Sequence, residues 1–182
     1  MNHERKLVEQ ARDNPDAFRE LYRHYFPRVY AYVACRVGRV WDAEDLTANI
    51  FMKVLEGLER FEWRGDGSFA AWIFRIAYSE VSQFYRQQRH EHLSLDDLPD
   101  IQSSALSPDQ AVLRKEQFAR LRARIGTLSA RRQEIITLRF FGELRNQEIA
   151  AVLGLDERTV ASHLSRALED LQRKYNDEEI RL

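Results

Sequence analysis

The sequence predicts an all-α protein made of two helical halves, and three features lead to that fold class. Apolar residues recur at steps of three and four in both halves. Between the halves lies "LSLDDLPDIQSSALSPDQ", Leu93 to Gln110, rich in Ser, Asp and Pro and without a sustained period. Near the end, "EIAAVLGLDERTVASHLSRAL" breaks a helical pattern at Gly154 and restarts it two residues later.

In the first half, Phe18, Leu21, Tyr22, Tyr25, Val29, Tyr32, Val33 and Val37 mark one amphipathic helix, which Pro27 is expected to kink or divide. Asp42 is suited to cap the next, with Leu46, Ile50, Val54, Leu58, Phe51 and Leu55 as its buried face. Its opposite face carries Asp42, Asp45, Asn49, Lys53 and Glu56. A glycine-rich loop, "EWRGDGS", leads into a third helix over "FAAWIFRIAYSEVSQFYRQQRHEH". Phe69, Trp72, Ile73, Ile76 and Phe84 face inward on it, and Arg75, Ser79, Gln83, Arg86 and Gln87 face outward.

The second half opens with a helix from about Pro108 to Ile125, stopped by Gly126. Ser129 is placed to cap the following helix, which runs through Ile135, Ile136, Leu138 and Phe140 to Gly142. Asn146 to Leu153 then forms a short helix, Gly154 permits a reversal, and Asp156 caps a last helix. Val160, Leu164, Ala167, Leu168 and Leu171 are its expected buried set. The outcome is a helix-turn-helix, whose second helix fits a DNA major groove with its first turns against base edges. Arg158, Ser162 and Ser165 supply the hydrogen-bonding groups for such a surface. A hairpin of helices that only packs has the same spacing.

Composition narrows the classes further. The 182 residues are 44% hydrophobic and 31% charged, the balance of a soluble globular chain, and no apolar run is long enough to cross a bilayer. The N-terminus lacks the apolar core of a signal peptide, so a cytoplasmic location is expected. Cys35 stands alone, excluding an internal disulfide, and it falls on an apolar face. The formal net charge of −1 hides a block structure: residues 1–92 balance, 93–112 sum to −4, and 113–175 sum to +5. A basic C-terminal block beside an acidic connector points to local contact with a polyanion.

In order along the chain, "FRELYRHYFPRVYAYV", "DAEDLTANIFMKVLEGLERF", "GSFAAWIFRIAYSEVSQFYRQQR" and "LSARRQEIITLRFFGELRNQEIAAVLGLDERTVASHLSRALEDLQ" resemble the two-domain, extracytoplasmic-function sigma factors of bacterial RNA polymerase. The resemblance implies domains over 1–92 and 111–182 with a linker over 93–110. It implies a non-catalytic initiation factor whose partners are core RNA polymerase, promoter DNA and an anti-sigma regulator, with no cofactor, no metal and no membrane insertion. The "DAEDL" helix would dock on the polymerase clamp through Asp42, Glu44, Asp45 and Asn49. The loop and helix after it would open and read the minus-ten element through Trp63, Arg64, Ser68, Ser79, Gln83, Arg86 and Gln87. The helix-turn-helix would read the minus-thirty-five element through Arg158, Ser162, Ser165 and Arg166, with His163 near phosphate. The acidic linker, with Asp96, Asp97 and Asp100, would run through the polymerase interior.

Several positions depart from the family pattern. Ala48 and Asn49 stand where a Gln-Glu pair is usual, lowering the charge of the docking face, and Thr47 beside them is a phosphorylation candidate. Ser79 and Gln83 replace a frequent Asn and Asp. Ala161 replaces a basic residue, and Arg145 replaces a capping Ser, which should weaken that helix start.

Enzyme readings find little support. His3, His24, His90, His92 and His163 form no zinc-protease motif, and "RGDGS" is too short for a phosphate-binding loop. A dimeric repressor or activator would bind a palindrome without polymerase, and a helical adaptor would not need Arg158 or Ser162.

Overall fold

The computed structural model describes residues 3–88 and 108–179, all of whose regular elements are helical. The connector over 93–107 and the "HEH" of 90–92 lie outside the described residues. Helix α1 spans His3–Gln10, α2 Pro15–Val37, α3 Val40–Gly57 and α4 Ser68–Gln88, with one 3-10 turn at Leu58–Arg60. The second half contributes α5 (Pro108–Gly126), α6 (Ala130–Phe140), α7 (Asn146–Leu153) and α8 (Glu157–Glu179).

Local chemistry accounts for most boundaries. Pro15 occupies the first turn of α2, where a missing N–H is harmless, and the Asn14 side chain accepts a 2.9 Å bond from the Asp16 N–H. Pro27 does not divide α2, which remains helical through to Val37. Nor does Asp42 cap α3: that helix begins at Val40 behind Arg39, leaving Asp42 half-buried in the first turn. Ser129 precedes α6 as expected, yet its hydroxyl makes no capping bond. Helix α1 had no counterpart among the sequence expectations; Val8, and Ala11 just beyond its end, are buried in the core.

In the first half, α3 and α4 pack with α2 around Val29, Val33, Ile50, Val54, Phe69, Ile73 and Ala77. The second half does not keep a separate core. Ile135, Leu138, Leu144, Ile149 and Val160 belong to the same apolar cluster as Tyr32 and Phe74, with α7 lying on α4 and α6 on α2. A smaller cluster joins Phe118, Ile125, Leu128, Ile136 and Ala167 to Cys35, whose burial pushes its thiol up to about 11.

Polar groups cross this seam at defined points. Glu134 of α6, 5% exposed, accepts a 2.5 Å bond from the Tyr32 hydroxyl and pairs with Arg36 at 3.2 Å. Burial holds its carboxyl above the ordinary range, against the opposing pull of Arg36 and the Tyr32 hydroxyl. Arg28 lies over the rings of Tyr25 and Phe74 and donates to the Gly142 carbonyl at 3.0 and 2.8 Å. Gly142 is tightly enclosed: a Cβ there would meet the Leu138 carbonyl oxygen at 2.7 Å and Phe74 at 2.8 Å.

Removing one member of a buried ion pair strands the other. Glu134→Ala should therefore lower the unfolding free energy by about 3–5 kcal/mol in a urea titration. Tyr32→Phe, which deletes one hydrogen bond, should cost about 1–2 kcal/mol. A change within ~0.5 kcal/mol for Glu134→Ala would mean that the seam does not depend on this cluster.

Candidate functional site

Three surfaces carry the predicted functional residues. On α3, Glu44, Asp45 and Asn49 are exposed, as expected, while Asp42 is half-buried. Large apolar side chains share that helix's solvent side: Trp41 is 72% exposed, Met52 57% and Leu55 49%. Leu55 is thus not part of the buried face. Thr47 is 1% exposed, so its hydroxyl is unavailable for phosphorylation without unfolding the helix locally. Lys53 leaves the acidic face to pair with Glu80 of α4 at 2.5 Å.

The sequence did not single out Trp41, Met52 and Leu55 as surface residues. Their signal was the repeat 41, 45, 48, 52, 55, a second stripe at helical spacing that also contains Asp45 and Ala48. Acidic residues beside large exposed apolar side chains on one helix face are the composition of a protein-docking face.

The second surface runs from the loop at 62–67 along α4. Ser79, Gln83, Arg86 and Gln87 are all exposed on one side of the helix. Arg64 is exposed in the loop, and its backbone N–H donates to the Ser68 hydroxyl at 3.2 Å, fixing the entry into α4. Trp63 is half-buried, edge-on to Phe61 at 6.5 Å. Trp72, half-buried, packs on Phe61 and Phe69 at 5.0 and 5.7 Å, at the edge of the core. A cleft of about 580 Å³ opens beside this loop, and its far wall is Gln147, Glu148 and Ala151 of α7.

The third surface is the helix-turn-helix. Gly154 adopts φ +65°, a conformation that favours glycine, and ends α7. Asp156 then accepts from the Thr159 N–H at 2.9 Å and the Thr159 hydroxyl at 2.6 Å. The bonds from Thr159 hold its carboxyl below the usual range. They also fix the first turn of α8, from which Arg158, Ser162, Ser165 and Arg166 project exposed. Ser165 donates to Glu169 at 3.0 Å. His163 is half-buried with its Nδ1 inside, so only part of the ring faces outward. Leu168, expected inside, is 43% exposed.

Arg145 stands at the N-cap of α7 and, having no accepting oxygen, makes no side-chain capping bond there. Glu148 accepts the Arg145 N–H at 2.6 Å and its guanidinium at 2.9 Å, which is the glutamate's half of a capping box; the half that a serine oxygen would make to the Glu148 N–H is missing. Among the described residues, no group of three His, Cys, Asp or Glu is placed to hold a metal ion. No helix among them is long and apolar enough to cross a membrane.

Comparison with known proteins follows the same division. The family model for Sigma-70 region 2 matches residues 21–91, and that for Sigma-70 region 4 matches residues 118–171. The ECF RNA polymerase sigma factor BldN of Streptomyces coelicolor is 33% identical over 175 residues, covering 95% of this chain and 66% of that protein. The RNA polymerase sigma factor YlaC of Bacillus subtilis is 30% identical over 160 residues, 87% of this chain and 91% of the relative. The ECF RNA polymerase sigma factor RpoE of Cereibacter sphaeroides is 30% identical over 173 residues, 91% of each. Two solved structures share the fold. CnrH in complex with the cytosolic domain of CnrY superposes with a TM-score of 0.75 at 22% identity, over 97% of this chain and 99% of that one. RpoE in complex with the anti-sigma factor NepR from Bartonella quintana gives 0.64 at 23% identity, over 86% and 94%.

Glu148→Ala should destabilise the chain by about 1 kcal/mol, the worth of a capping bond, in thermal or urea unfolding. Glu148→Gln, which still accepts from the Arg145 N–H, should recover most of that loss. Equal losses for the two variants would show that the cap is not what Glu148 contributes.

Proposed function

The chain belongs to the extracytoplasmic-function type of the sigma-70 family, and from that premise we propose how its surfaces divide the work of promoter-specific transcription initiation. The observation that carries the proposal is the occurrence of both sigma-70 regions, in order, on one chain.

The α3 face docks on core RNA polymerase. Glu44, Asp45 and Asn49 set the electrostatic match, and Trp41, Met52 and Leu55 provide apolar area to be desolvated. Asp42, half-buried in the first turn, lies at the edge of this face. The loop with Trp63, Arg64 and Ser68 meets the minus-ten element, and Ser79, Gln83, Arg86 and Gln87 follow the strand along α4. Polar and aromatic groups of this kind hold a base once it has left the stack, against an unstacking cost of a few kcal/mol.

Helix α8 enters the major groove at the minus-thirty-five element. Arg158 and Arg166 suit guanine or phosphate, Ser162 and Ser165 suit a base edge or phosphate, and His163 sits at the margin. The work is recognition, not bond chemistry, and belongs to the cytoplasm, where polymerase and promoter are found. An anti-sigma protein is the regulator that its family suggests, by analogy with the NepR complex.

Mixing the chain with core polymerase and genomic promoter fragments, then sequencing the transcripts, tests the whole reading. Defined starts sharing two upstream elements, dependent on both proteins, are expected. Capture of a palindromic duplex by the chain alone, without such starts, would replace it with an ordinary DNA-binding regulator.

Three variants test the surfaces. Trp41→Ala with Met52→Ala should weaken core binding at least about 10-fold, and Asn49→Glu should tighten it, as read by titration. Arg158→Ala should lower promoter affinity by about 10- to 100-fold and relax preference at one base pair of the upstream element.

A further inference from the structure

On α4, Ser68, Arg75, Ser79 and Arg86 follow one another at spacings of seven, four and seven residues, whole numbers of helical turns, and so share one face. Ser68, Ser79 and Arg86 already belong to the proposed minus-ten surface. Arg75 stands in the middle of it and is exposed, yet its guanidinium is engaged. It donates at 2.5 Å to the carbonyl of Ala151 on α7, the first helix of the helix-turn-helix. Ala151 lies in the last turn of α7, where carbonyls lack intrahelical partners and the helix carries roughly half a negative charge. An arginine on this face is thus satisfied by a partial negative charge from the other half of the same protein.

The same helix covers the neighbouring loop. Gly67 lies against Glu148 and Arg145 so closely that a Cβ there would collide with both side chains. Gln147, Glu148 and Ala151 wall the cleft that Arg60, Arg64, Ser68, Trp72 and Arg75 line from the other side. Farther along α4, Ser79, Gln83, Arg86 and Gln87 remain uncovered. Reading both promoter elements requires the halves to part. Some 25 base pairs separate minus ten from minus thirty-five, roughly 85 Å at about 3.4 Å each, whereas α7 here rests directly on α4.

We propose that Arg75 is a further promoter-contacting residue of the minus-ten surface, gripping a backbone phosphate, and that α7 occupies its guanidinium until the two halves separate. The inference rests on the sigma-factor reading. Arginine matches phosphate geometry and binds it more strongly than a neutral carbonyl. Parting the halves thereby replaces a weak partner with a stronger one, and the cost of leaving Ala151 is offset only where DNA is present.

The test is the salt dependence of binding to a promoter fragment recovered in the transcript experiment, measured for the polymerase complex and for the free chain. In the polymerase complex, Arg75→Ala should reduce the slope of log affinity against log salt by about 0.7–0.9, the loss of one phosphate contact. Arg75→Lys should restore that slope. In the free chain, where the guanidinium is occupied, Arg75→Ala should leave the slope unchanged. An unchanged slope in the polymerase complex would remove Arg75 from the DNA surface. An equal fall in both settings would show that α7 does not mask it. Failure of the sigma-factor reading would show itself separately, as an absence of polymerase-dependent starts with the unaltered chain.

Discussion

The arrangement depends on a buried carboxylate held by two side chains of one helix from the other half. Glu134 on α6 sits between the Tyr32 hydroxyl and the Arg36 guanidinium on α2, and apolar side chains from both halves close around it. Such a cluster stabilises little in net terms, because the desolvation of both charges offsets their attraction. Its influence is on specificity: any sliding of α6 along α2 strands at least one buried polar group. The enclosed Gly142 and the bonds from Arg28 to its carbonyl hold the neighbouring turn in the same register. Together they determine where α7 lies, and therefore which part of α4 is covered.

That register separates the surfaces by availability. Glu44, Asp45, Asn49 and the apolar stripe of Trp41, Met52 and Leu55 stand open to a protein partner, as does the outward side of α8 to DNA. The loop at 62–67 and Arg75 are faced by α7. Charge follows a related division: the balanced first half carries an acidic edge on α3, and the basic excess lies in the second half, where a major groove would be met. On the proposed reading, promoter recognition is coupled to separation of the halves, whereas docking through the open face of α3 would not require that separation first.

Much of this was legible in the sequence because it is local. The helix-turn-helix depends on Gly154, Asp156 and the apolar spacing around them, all within a few residues, and the structure reproduces each. The exposed sides of α4 and α8 follow from periodicity alone. What escaped is set by contacts distant in the chain or by the width of an apolar stripe. Leu55 and Leu168 have core spacing but lie at stripe edges that nothing covers. Asp42 has the chemistry of a cap, but α3 starts two residues earlier, at Val40. Glu134 reads as one more charge on an amphipathic helix until α2, about a hundred residues away, buries it. Arg145 lacks the capping oxygen of a serine, and Glu148, three residues on, ties the helix start down from the other side by accepting the Arg145 N–H.

On the proposed reading, the free chain holds its two halves together and parts them on the promoter. Their separation is tested most directly by energy transfer between dyes on Glu20→Cys in α2 and Gln172→Cys in α8, two exposed sites, in a chain with Cys35→Ala. High transfer in the free chain, falling when core polymerase and promoter are both added, is the predicted result. Equal transfer in the two states would mean that the shared core persists on DNA, and would contradict the account.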